Sequence, residues 1–323
     1  MSKFAFLVHP LTQLQCGVVG VRRLRMGMVV GLSGKGGPPG KICDLSVDGV
    51  VHGEIISVPW TPQELLEDQD GAVEAMVTAV EQLEGVTAVG LGSLLAVVGS
   101  RGQALAGQVS VPVTTGAAAT AWAAIGNAEV VAKSRGNNRI SVIGFGGAVG
   151  RVVAEGLADK GFEVIAGGVG VRLEREAAKI GVQLMSPESA AGASQVIVGA
   201  STTGGILEPS VLQEGAILLD VALPPTLKAG ALPSGAKVLP GEAVTLPDGW
   251  RRGFWGTLYH WLSGYGTDQI FACLAEPMVM SVTGRSAPFS LGRRVTLADV
   301  EEFAEAVNCL GLTPRLPEGW NVA

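Results

Sequence analysis

The strongest constraint on the fold is a rhythm of short apolar runs that alternate with helical segments between Asn138 and Gly241. The runs are RISVIG, FEVIAG, VQLM, SQVIVGAS and GAILLDVAL, and the helical segments between them include RVVAEGLADKG and RLEREAAKIG. Nearly continuous apolar character is typical of strands that are buried on both faces. Strands that are separated by helices form parallel βαβ units. The pattern therefore predicts an α/β fold with a Rossmann-like parallel sheet domain.

The residues before this block mix strand and helix signals. FAFLVH predicts an opening strand, and KICDLSVDGVVHGEIISV predicts a hairpin that turns at Asp48-Gly49. From Thr61 to Leu83 the apolar spacing is helical, with acidic residues early, where the helix dipole favours them. The run VTAVGLGSLLAVVG then indicates a buried strand followed by a turn.

A chain of 323 residues suggests about two domains of roughly 150 residues each. We predict an N-terminal α/β domain over residues 1–135 that binds the substrate or its acyl group, and a Rossmann dinucleotide-binding domain over 136–245. Residues 246–323 form a C-terminal helical segment that packs on the N-terminal domain and completes it. The cleft between the two lobes is the expected active site.

Charge and cysteine usage exclude several classes of protein. A net charge of −6 with only 16% charged residues argues against a nucleic-acid surface, which needs clustered Lys and Arg. The longest apolar run is too short and too rich in glycine to span a bilayer, and the N-terminus lacks a signal-peptide core. The cysteines show neither CxxC nor zinc spacing. We expect a cytoplasmic protein with no metal, no nucleic-acid partner and no transmembrane segment.

The segment VIGFGGAVG follows a predicted strand and opens a predicted helix, as a dinucleotide-binding loop does. Its glycines fit either GxGxxxG or GxxGxxG spacing, and both let a pyrophosphate approach the amides at a helix N-terminus. The alternative is a glycine-rich turn that binds no nucleotide. The candidate cofactor-binding residues of this loop are Gly144, Gly146, Gly147, Ala148, Val149 and Gly150.

The choice of cofactor depends on the end of the second strand of this domain. A dinucleotide fold that prefers NAD carries an acidic residue there for the ribose, whereas the segment VIAGGVGVRLER has no carboxylate before Glu174. Arg172 could instead reach a 2′-phosphate, or could be a solvated helix residue. We therefore expect NADPH, with NADH left open. After the fourth strand, Ser201, Thr202 and Thr203 are further candidate cofactor contacts or form an ordinary turn.

The segment QIFACLAEPMVM, Gln269 to Met280, indicates a mostly apolar helix. Together with the PFSLGRR turn that follows, it resembles the C-terminal part of the cyanobacterial long-chain acyl-[acyl carrier protein] reductases. FAFLVHPLT, VTAVGLGSLLAVVG, VTTGAAATAW, the glycine loop and VIVGASTTGGILEPSVLQEGAILLDVALPP have counterparts in the same order. The resemblance thus extends over most of the chain.

Proteins of that family reduce fatty acyl thioesters of acyl carrier protein or CoA to aldehydes with NADPH. The resemblance implies that Cys273 is the nucleophile that captures the acyl group, whereas free cysteines are otherwise most often buried packing residues. It implies an acyl carrier protein or CoA thioester as substrate and an aldehyde-consuming enzyme as a further partner. The basic clusters available for docking a carrier protein are Arg22/Arg23/Arg25, Arg251/Arg252 and Arg293/Arg294, unless they are merely solvated.

Several residues could support the cysteine. Glu276 lies three residues after Cys273 and shares its face if the turn is helical, so it could relay a proton or act structurally. We favour the structural role, because a carboxylate beside a thiol raises the pKa of that thiol. Thr115, within the threonine-threonine-glycine segment, could face the cleft. His260, Arg285 or backbone donors could activate the thiol, which we expect to lie too far from a helix start for the dipole to act.

Two departures from the family pattern carry predictions. Pro277 stands where the family has alanine, and a proline there removes the hydrogen bond to the carbonyl of Cys273, so we predict a kink or break at the cysteine. Two glycines replace the basic residue that the family has after the second strand, which weakens the preference for NADPH. The alternatives are a shikimate-dehydrogenase-like reductase of a free carbonyl, without covalent catalysis, and a non-enzymatic protein that binds NADPH or a carrier.

Overall fold

A computed structural model describes residues 1–9, 37–47, 49–247, 250–252, 268–292 and 295–317, with only the backbone described for 47 and 250–252. His260, Arg22, Arg23, Arg25, Arg293 and Arg294 lie outside the described residues, as do the side chains of Arg251 and Arg252. In the described part of the chain, no helix has the length and apolar character that crossing a membrane requires.

The strands, numbered in chain order, are as follows: β1 Ser2–Val8, β2 Gly40–Val47, β3 Val51–Ser57, β4 Ala88–Leu91, β5 Val113–Thr114, β6 Arg139–Ile143, β7 Glu163–Gly167, β8 Gln183–Met185, β9 Val196–Gly199, β10 Ile217–Asp220, β11 Lys237–Pro240, β12 Ala243–Thr245, β13 Trp250–Arg252, β14 Gln269–Phe271 and β15 Thr313–Pro314. The helices, numbered among the described residues, are α1 Pro62–Glu67, α2 Gln69–Glu81, α3 Val98–Arg101, α4 Gln103–Ala106, α5 Ala117–Ser134, α6 Ala148–Asp159, α7 Val171–Lys179, α8 Pro187–Gly192, α9 Ala275–Thr283 and α10 Leu297–Ala306.

The first sheet has the strand order β13-β2-β3-β1-β4-β5. Strands β3, β1, β4 and β5 run parallel, whereas β2 pairs antiparallel with β3 and β13. The predicted hairpin is confirmed by the antiparallel pairing of β2 with β3 up to Val47 and Val51, and Gly49 has a positive φ of 79°, while Asp48 lies outside the described residues.

The predicted helix from Thr61 to Leu83 is two helices, so its continuity was wrong. The backbone of Asp68 leaves the helical region, at φ −135° and ψ 78°, and its side chain accepts a hydrogen bond from the amide of Gly71 to cap α2. Short aspartate side chains compete with the helical backbone in this way, and so favour caps over helix interiors.

The second sheet is parallel throughout, in the order β11-β10-β9-β6-β7-β8. Helices α6, α7 and α8 connect its successive strands from β6 to β9, as the alternating pattern predicts. The interior residues of β6, β9 and β10 are buried, which explains why their sequences are apolar without alternation. The predicted α/β class with a Rossmann-like parallel sheet is therefore confirmed.

A small antiparallel sheet, β14-β12-β15, follows the parallel one. Its central strand β12 falls at the end of the predicted 136–245 domain, but it pairs with C-terminal strands instead of the parallel sheet. Helix α9 packs on β1 and β4, and α10 packs on α5. Thr296 and Asp299 form a capping box at the start of α10, where the sequence predicts the final helix.

Helix α5 lies at the centre of the molecule and contacts α6, α10, β9 and the turn that carries Cys273. Its buried face consists largely of alanine, which lets neighbouring backbones approach closely. In α6, a Cβ at Gly156 would lie 2.6 Å from the side chain of Ile125. Because Gly156 has no side chain, Ile125 of α5 packs directly against the backbone of α6.

Candidate active site

Cys273 lies in a single turn of 3-10 helix, Ala272–Leu274, between strand β14 and helix α9. The predicted break at the cysteine is confirmed, but the prediction that the helix begins near Gln269 was wrong. Pro277 is the third residue of α9, a position whose N–H has no intrahelical partner in any helix. The proline is therefore compatible with the start of α9 and incompatible with a helix that continues back through Cys273.

Gly116 explains how the cysteine turn reaches the N-terminal lobe. The residue has a φ of +73°, and a Cβ added to it would lie 2.3 Å from Cβ and 2.6 Å from Cα of Cys273. Gly116 is also the N-cap of α5, a helix of 18 residues. Cys273 thus lies beside the N-terminus of α5 and just before that of α9. The expectation that it lies far from any helix start was wrong, because the turn preceding α9 was taken for helix.

A cavity of about 180 Å³ joins Cys273 to both lobes. From the parallel-sheet domain it is lined by Gly147, Ala148, Val149, Ala200, Ser201, Thr202, Val221, Ala222, Leu223 and Glu242. From the rest of the chain it is lined by Phe6, Val8, His9, Gly92, Ser93, Ala96, Val97, Arg101, Thr115, Ala117, Thr120, Phe271, Cys273 and Gly292. The glycine loop, the turn after β9 and the cysteine therefore share one cavity.

The glycine loop has the geometry that a dinucleotide requires. Gly144 has a φ of +87°, and a Cβ there would lie 2.7 Å from the backbone of Ala200 and Ser201, while a Cβ on Gly150 would lie 2.3 Å from the carbonyl oxygen of Gly144. By contrast, the nearest atom to a Cβ on Gly146 would be 3.5 Å away, so the fold itself does not require glycine there. Helix α6 begins after Gly147 with no side-chain cap among the described residues. The loop therefore fits a phosphate at the helix N-terminus.

The other candidate cofactor contacts occupy different positions. Ser201 and Thr202 line the cavity, whereas Thr203 donates its amide to the hydroxyl of Ser201 at 3.1 Å. Arg172 lies in the first turn of α7, with 76% of its side chain exposed and its Nε 3.8 Å from Glu176 Oε1. Its guanidinium is accessible at the end of β7, where a ribose phosphate would lie in a Rossmann fold.

Glu276 is fully buried and holds three segments together. Its carboxylate accepts hydrogen bonds from the hydroxyl of Thr114, from the amide of Ala119 at 2.9 Å and from the hydroxyl of Ser290 at 2.9–3.0 Å. These partners belong to β5, to the first turn of α5 and to the loop before α10. Burial raises the pKa of Glu276 above its ordinary value of 4.5, although the hydrogen bonds oppose the shift. This environment agrees with the structural role favoured from the sequence.

Thr115 lines the cavity and is anchored by Ser290, a residue that the sequence analysis does not single out. The amide of Thr115 donates to the Ser290 carbonyl at 3.0 Å, and the two hydroxyl oxygens are 2.9 Å apart. Ser290 also accepts the amide of Ala117 at 2.9 Å. Arg285, a candidate activator of the thiol, instead pairs with Glu302 and lies 4.3 Å above the ring of Phe289.

Among the described residues, Glu242 is the only carboxylate residue that lines the cavity, and no sequence motif points to it. It follows the edge strand β11 in the unremarkable segment LPGEAV, and only 7% of its surface is exposed. Its carbonyl accepts the amide of Ala272 at 3.2 Å, next to Cys273. The signal available in the sequence was its position after the last strand of a parallel sheet, since such sheets bind ligands at the carboxyl ends of their strands.

The surroundings of Cys273 keep its thiol protonated. Burial raises the pKa of the thiol, and the negative charges of Glu242 and Glu276 raise it further. The amides of Cys273 and Leu274 donate to the sulfur and lower its pKa, but they do not outweigh the burial and the two carboxylates. The expected effect of a neighbouring carboxylate on the thiol is thus confirmed in direction.

No known protein-family profile matches the chain. Its sequence is 28% identical over 277 residues to the aminotransferase PigE of Serratia sp. (strain ATCC 39006), a match that covers 79% of this chain and 31% of that protein. The chain therefore spans less than a third of the length of this relative.

Among solved structures, L-tryptophan dehydrogenase from Nostoc punctiforme is 15% identical, with a TM-score of 0.39 over 96% of this chain and 89% of that one. A transhydrogenase from Sinorhizobium meliloti is 11% identical, with a TM-score of 0.33 over 48% of this chain and 60% of that one. The pyruvate reductase of Chlamydomonas reinhardtii is 13% identical, with a TM-score of 0.28 over 68% and 70%. At TM-scores of this size, similarity carries no argument about what this chain binds or does.

Proposed function

We propose that the chain is an NAD(P)H-dependent oxidoreductase that reduces an acyl thioester to an aldehyde through an acyl group carried on Cys273. The observation that carries the proposal is that one cavity is lined by Cys273 and by the uncapped N-terminus of α6 after the glycine loop. A thiol close to a dinucleotide site can hold an acyl carbonyl where a hydride can reach it.

The first half-reaction belongs to the protein's own side chains. The Cys273 sulfur forms a bond to the thioester carbonyl carbon, the bond from that carbon to the carrier sulfur breaks, and the carrier leaves as a thiol. The exchange of one thioester for another needs no outside energy source. The amides of Cys273 and Leu274 favour negative charge on the attacking sulfur.

For the second half-reaction, a nicotinamide cofactor bound at the glycine loop would supply the hydride. Addition of hydride to the acyl carbonyl would give the oxyanion of a hemithioacetal on Cys273. The bond between its carbon and the sulfur then breaks, which releases the aldehyde and returns the sulfur to the thiol as it takes up a proton. The apolar residues Phe6, Val8, Ala96 and Val97 line the N-terminal side of the cavity and suit an alkyl group.

We propose NADPH as the cofactor, because Arg172 is exposed at the end of β7 and no carboxylate precedes Glu174 there. Replacing Arg172 with alanine should weaken NADPH binding roughly tenfold, the effect of losing about 1.4 kcal/mol, and leave NADH binding unchanged. Titration of each nucleotide by fluorescence or calorimetry measures both constants. Equal weakening for the two cofactors would contradict a 2′-phosphate contact.

The direct test of the acyl-enzyme is intact-protein mass spectrometry after incubation with octanoyl-CoA or hexadecanoyl-CoA, without any nicotinamide. We expect one acyl adduct on the wild type and on Cys309→Ala, a matched control at an exposed cysteine, and none on Cys273→Ala. Subsequent addition of NADPH should remove the adduct and release the aldehyde. Absence of an adduct from the wild type at either chain length would refute the proposal.

A second function is favoured by the protonated state of the Cys273 thiol, which is a poor nucleophile in that form. In this alternative the enzyme reduces a free carbonyl and Cys273 only packs. It predicts that NADPH-dependent reduction of a free aldehyde or ketone survives in Cys273→Ala, whereas the acyl-enzyme route predicts that thioester reduction is abolished.

A further inference from the structure

We propose that Glu242 is the general base and acid that exchanges a proton with the Cys273 sulfur during acyl transfer and during aldehyde release. This role rests on the function proposed above and adds a second catalytic residue to it. The sequence pattern and the resemblance both point to Cys273 and Glu276, and neither points to Glu242.

Glu242 is placed next to Cys273 by strand pairing. Strand β12 pairs antiparallel with β14, with Ala243 opposite Phe271, and the amide of Ala272 donates to the Glu242 carbonyl at 3.2 Å. Glu242 is the residue before Ala243, and Cys273 is the second residue after Phe271. Both side chains line the cavity that also contains the glycine loop.

The segment that carries Glu242 is fixed on both sides. The buried side chain of Asn127 donates to the carbonyls of Gly241 at 2.9 Å and Ala243 at 3.0 Å, which flank Glu242. A Cβ on Gly241 would lie 2.9 Å from the carbonyl carbon of Leu219, so the segment also lies tightly on β10. The backbone on both sides of Glu242 is therefore held in place, which fixes the point from which the carboxylate extends into the cavity.

The chemistry requires such a group because this site disfavours a free thiolate. A sulfur that rests as a thiol must lose its proton when it attacks, and must regain one when the hemithioacetal breaks. A carboxylate that lines the same cavity can accept the first proton, and its charge is also one of the causes of the raised pKa of the thiol.

Among the described residues, the other titratable groups near the sulfur are less suited to exchange a proton with it. The oxygens of Glu276 are taken up by Thr114, Ala119 and Ser290. Of the remaining titratable residues that line the described cavity, His9 accepts the amide of Leu94 through Nε2 at 3.2 Å, and Arg101 carries no basic lone pair.

The proton balance closes in both half-reactions. As the bond between sulfur and acyl carbon forms, the thiol proton passes to the Glu242 carboxylate, and from there to the carrier sulfur as its bond to carbon breaks. Solvent then reprotonates Glu242. After hydride addition, this proton passes to the Cys273 sulfur as the hemithioacetal opens to the aldehyde, and Glu242 ends as the carboxylate again.

Two rates distinguish proton transfer from a simple charge effect. Alkylation of Cys273 by iodoacetamide needs only the thiolate, whereas formation of aldehyde from octanoyl-CoA and NADPH also needs protons to move with the sulfur. In Glu242→Gln the like charge is gone, so we expect faster alkylation and, at the same pH, aldehyde formation slower by roughly 100-fold or more. Glu242→Asp should recover part of the aldehyde rate, and Glu208→Gln, at an exposed ion pair, should match the wild type.

Each other outcome has a definite meaning. If aldehyde formation in Glu242→Gln stays at or above the wild-type rate, Glu242 acts only through its charge and the inference is overturned. If both rates fall together in Glu242→Gln and Glu242→Asp, with a lowered melting temperature, the carboxylate holds the structure and the inference is likewise overturned. A wild type that forms no acyl adduct would refute the proposed function itself, and the role of Glu242 with it.

Discussion

Two strand-to-helix turns of this protein have the same local structure, but the amides at their helix N-termini differ in their hydrogen-bond partners. In each, a parallel strand ends in a glycine-containing turn that starts a helix facing the cavity: β5 leads to α5 through Gly116, and β6 leads to α6 through Gly147. At α5 the first-turn amides are taken up by side chains, Ala117 by Ser290 and Ala119 by Glu276. At α6, as far as the chain is described, no side chain caps the helix.

The difference assigns a role to each helix start. Amides that are satisfied from within the protein make a rigid platform, and at α5 this platform supports the cysteine turn. Helix N-terminal amides that no side chain caps can bind an anion, and at α6 such a site suits the pyrophosphate of a dinucleotide. A strand–glycine–helix pattern alone does not separate the two, because the partners of α5 come from residues far away in the sequence.

The largest expected effect comes from removing the internal partner of α5. Glu276→Ala would leave the Thr114 hydroxyl and the Ala119 amide buried without this acceptor and would open a cavity in the core. We expect the free energy of unfolding to fall by about 3–4 kcal/mol. Urea denaturation measures it, with Glu208→Ala as a surface control that should cost less than about 1 kcal/mol. A loss as small as the control's would mean that the cluster does not hold α5.

A smaller loss of stability should follow from Gly116→Ala, which disrupts the contact between α5 and the turn that carries Cys273. The new methyl group would overlap Cys273, and the residue would keep a left-handed φ. We expect a loss of about 2 kcal/mol together with a changed rate of Cys273 alkylation. Gly136→Ala is the matched control, because it has a φ of +60° and open space, so it should cost only about 1 kcal/mol. Equal losses in the two variants would argue against the close contact.

At α6 the corresponding substitution should act on binding and not on stability. A Cβ on Gly146 meets only ordinary contacts with Leu173, so Gly146→Ala should unfold like the wild type. Because Gly146 belongs to the loop proposed to hold the pyrophosphate, where a side chain would hinder close approach of the backbone, we expect NADPH affinity to fall roughly tenfold. Calorimetric titration measures the affinity. Unchanged binding would place the dinucleotide away from this loop.

The smallest effect is a pH dependence that belongs to the α5 side alone. Burial raises the pKa of Glu276 in the folded protein above its ordinary value of 4.5, so the folded state binds this proton more tightly than the unfolded state does. The contribution of Glu276 to stability is therefore greatest at low pH and declines as pH rises through 4.5 toward the raised value. Relative to the wild type, Glu276→Gln should gain stability across that window. Parallel curves of unfolding free energy against pH would show that Glu276 does not titrate there.

The sequence predicted well wherever one local pattern was decisive. Three features each follow from a backbone rule that few tertiary contacts override: the buried parallel strands, the hairpin of β2 and β3, and the break at Cys273 that Pro277 requires. The errors arose where alternatives were locally similar. A short apolar stretch such as Gln269–Phe271 is compatible with strand or helix, and pairing with β12 made it a strand.

The candidate site was only partly accessible to sequence reasoning. The glycine loop and Cys273 lie in recognisable segments, and the cavity contains both. Glu242 and Ser290 gain their significance from neighbours distant in the chain: Ala272 and Asn127 for the first, Thr115 and Glu276 for the second. Strand pairing and hydrogen bonding over such separations leave no periodicity to detect.

The pairing of β12 with β14 has a consequence for motion. Glu242 directly precedes β12 and Cys273 lies in the turn that follows β14, so the two residues flank paired strands of one small antiparallel sheet, whereas the glycine loop belongs to the parallel sheet. A displacement of the glycine loop relative to that small sheet would change how far a hydride must travel, while the pairing of β12 with β14 would keep the backbones of Glu242 and Cys273 together.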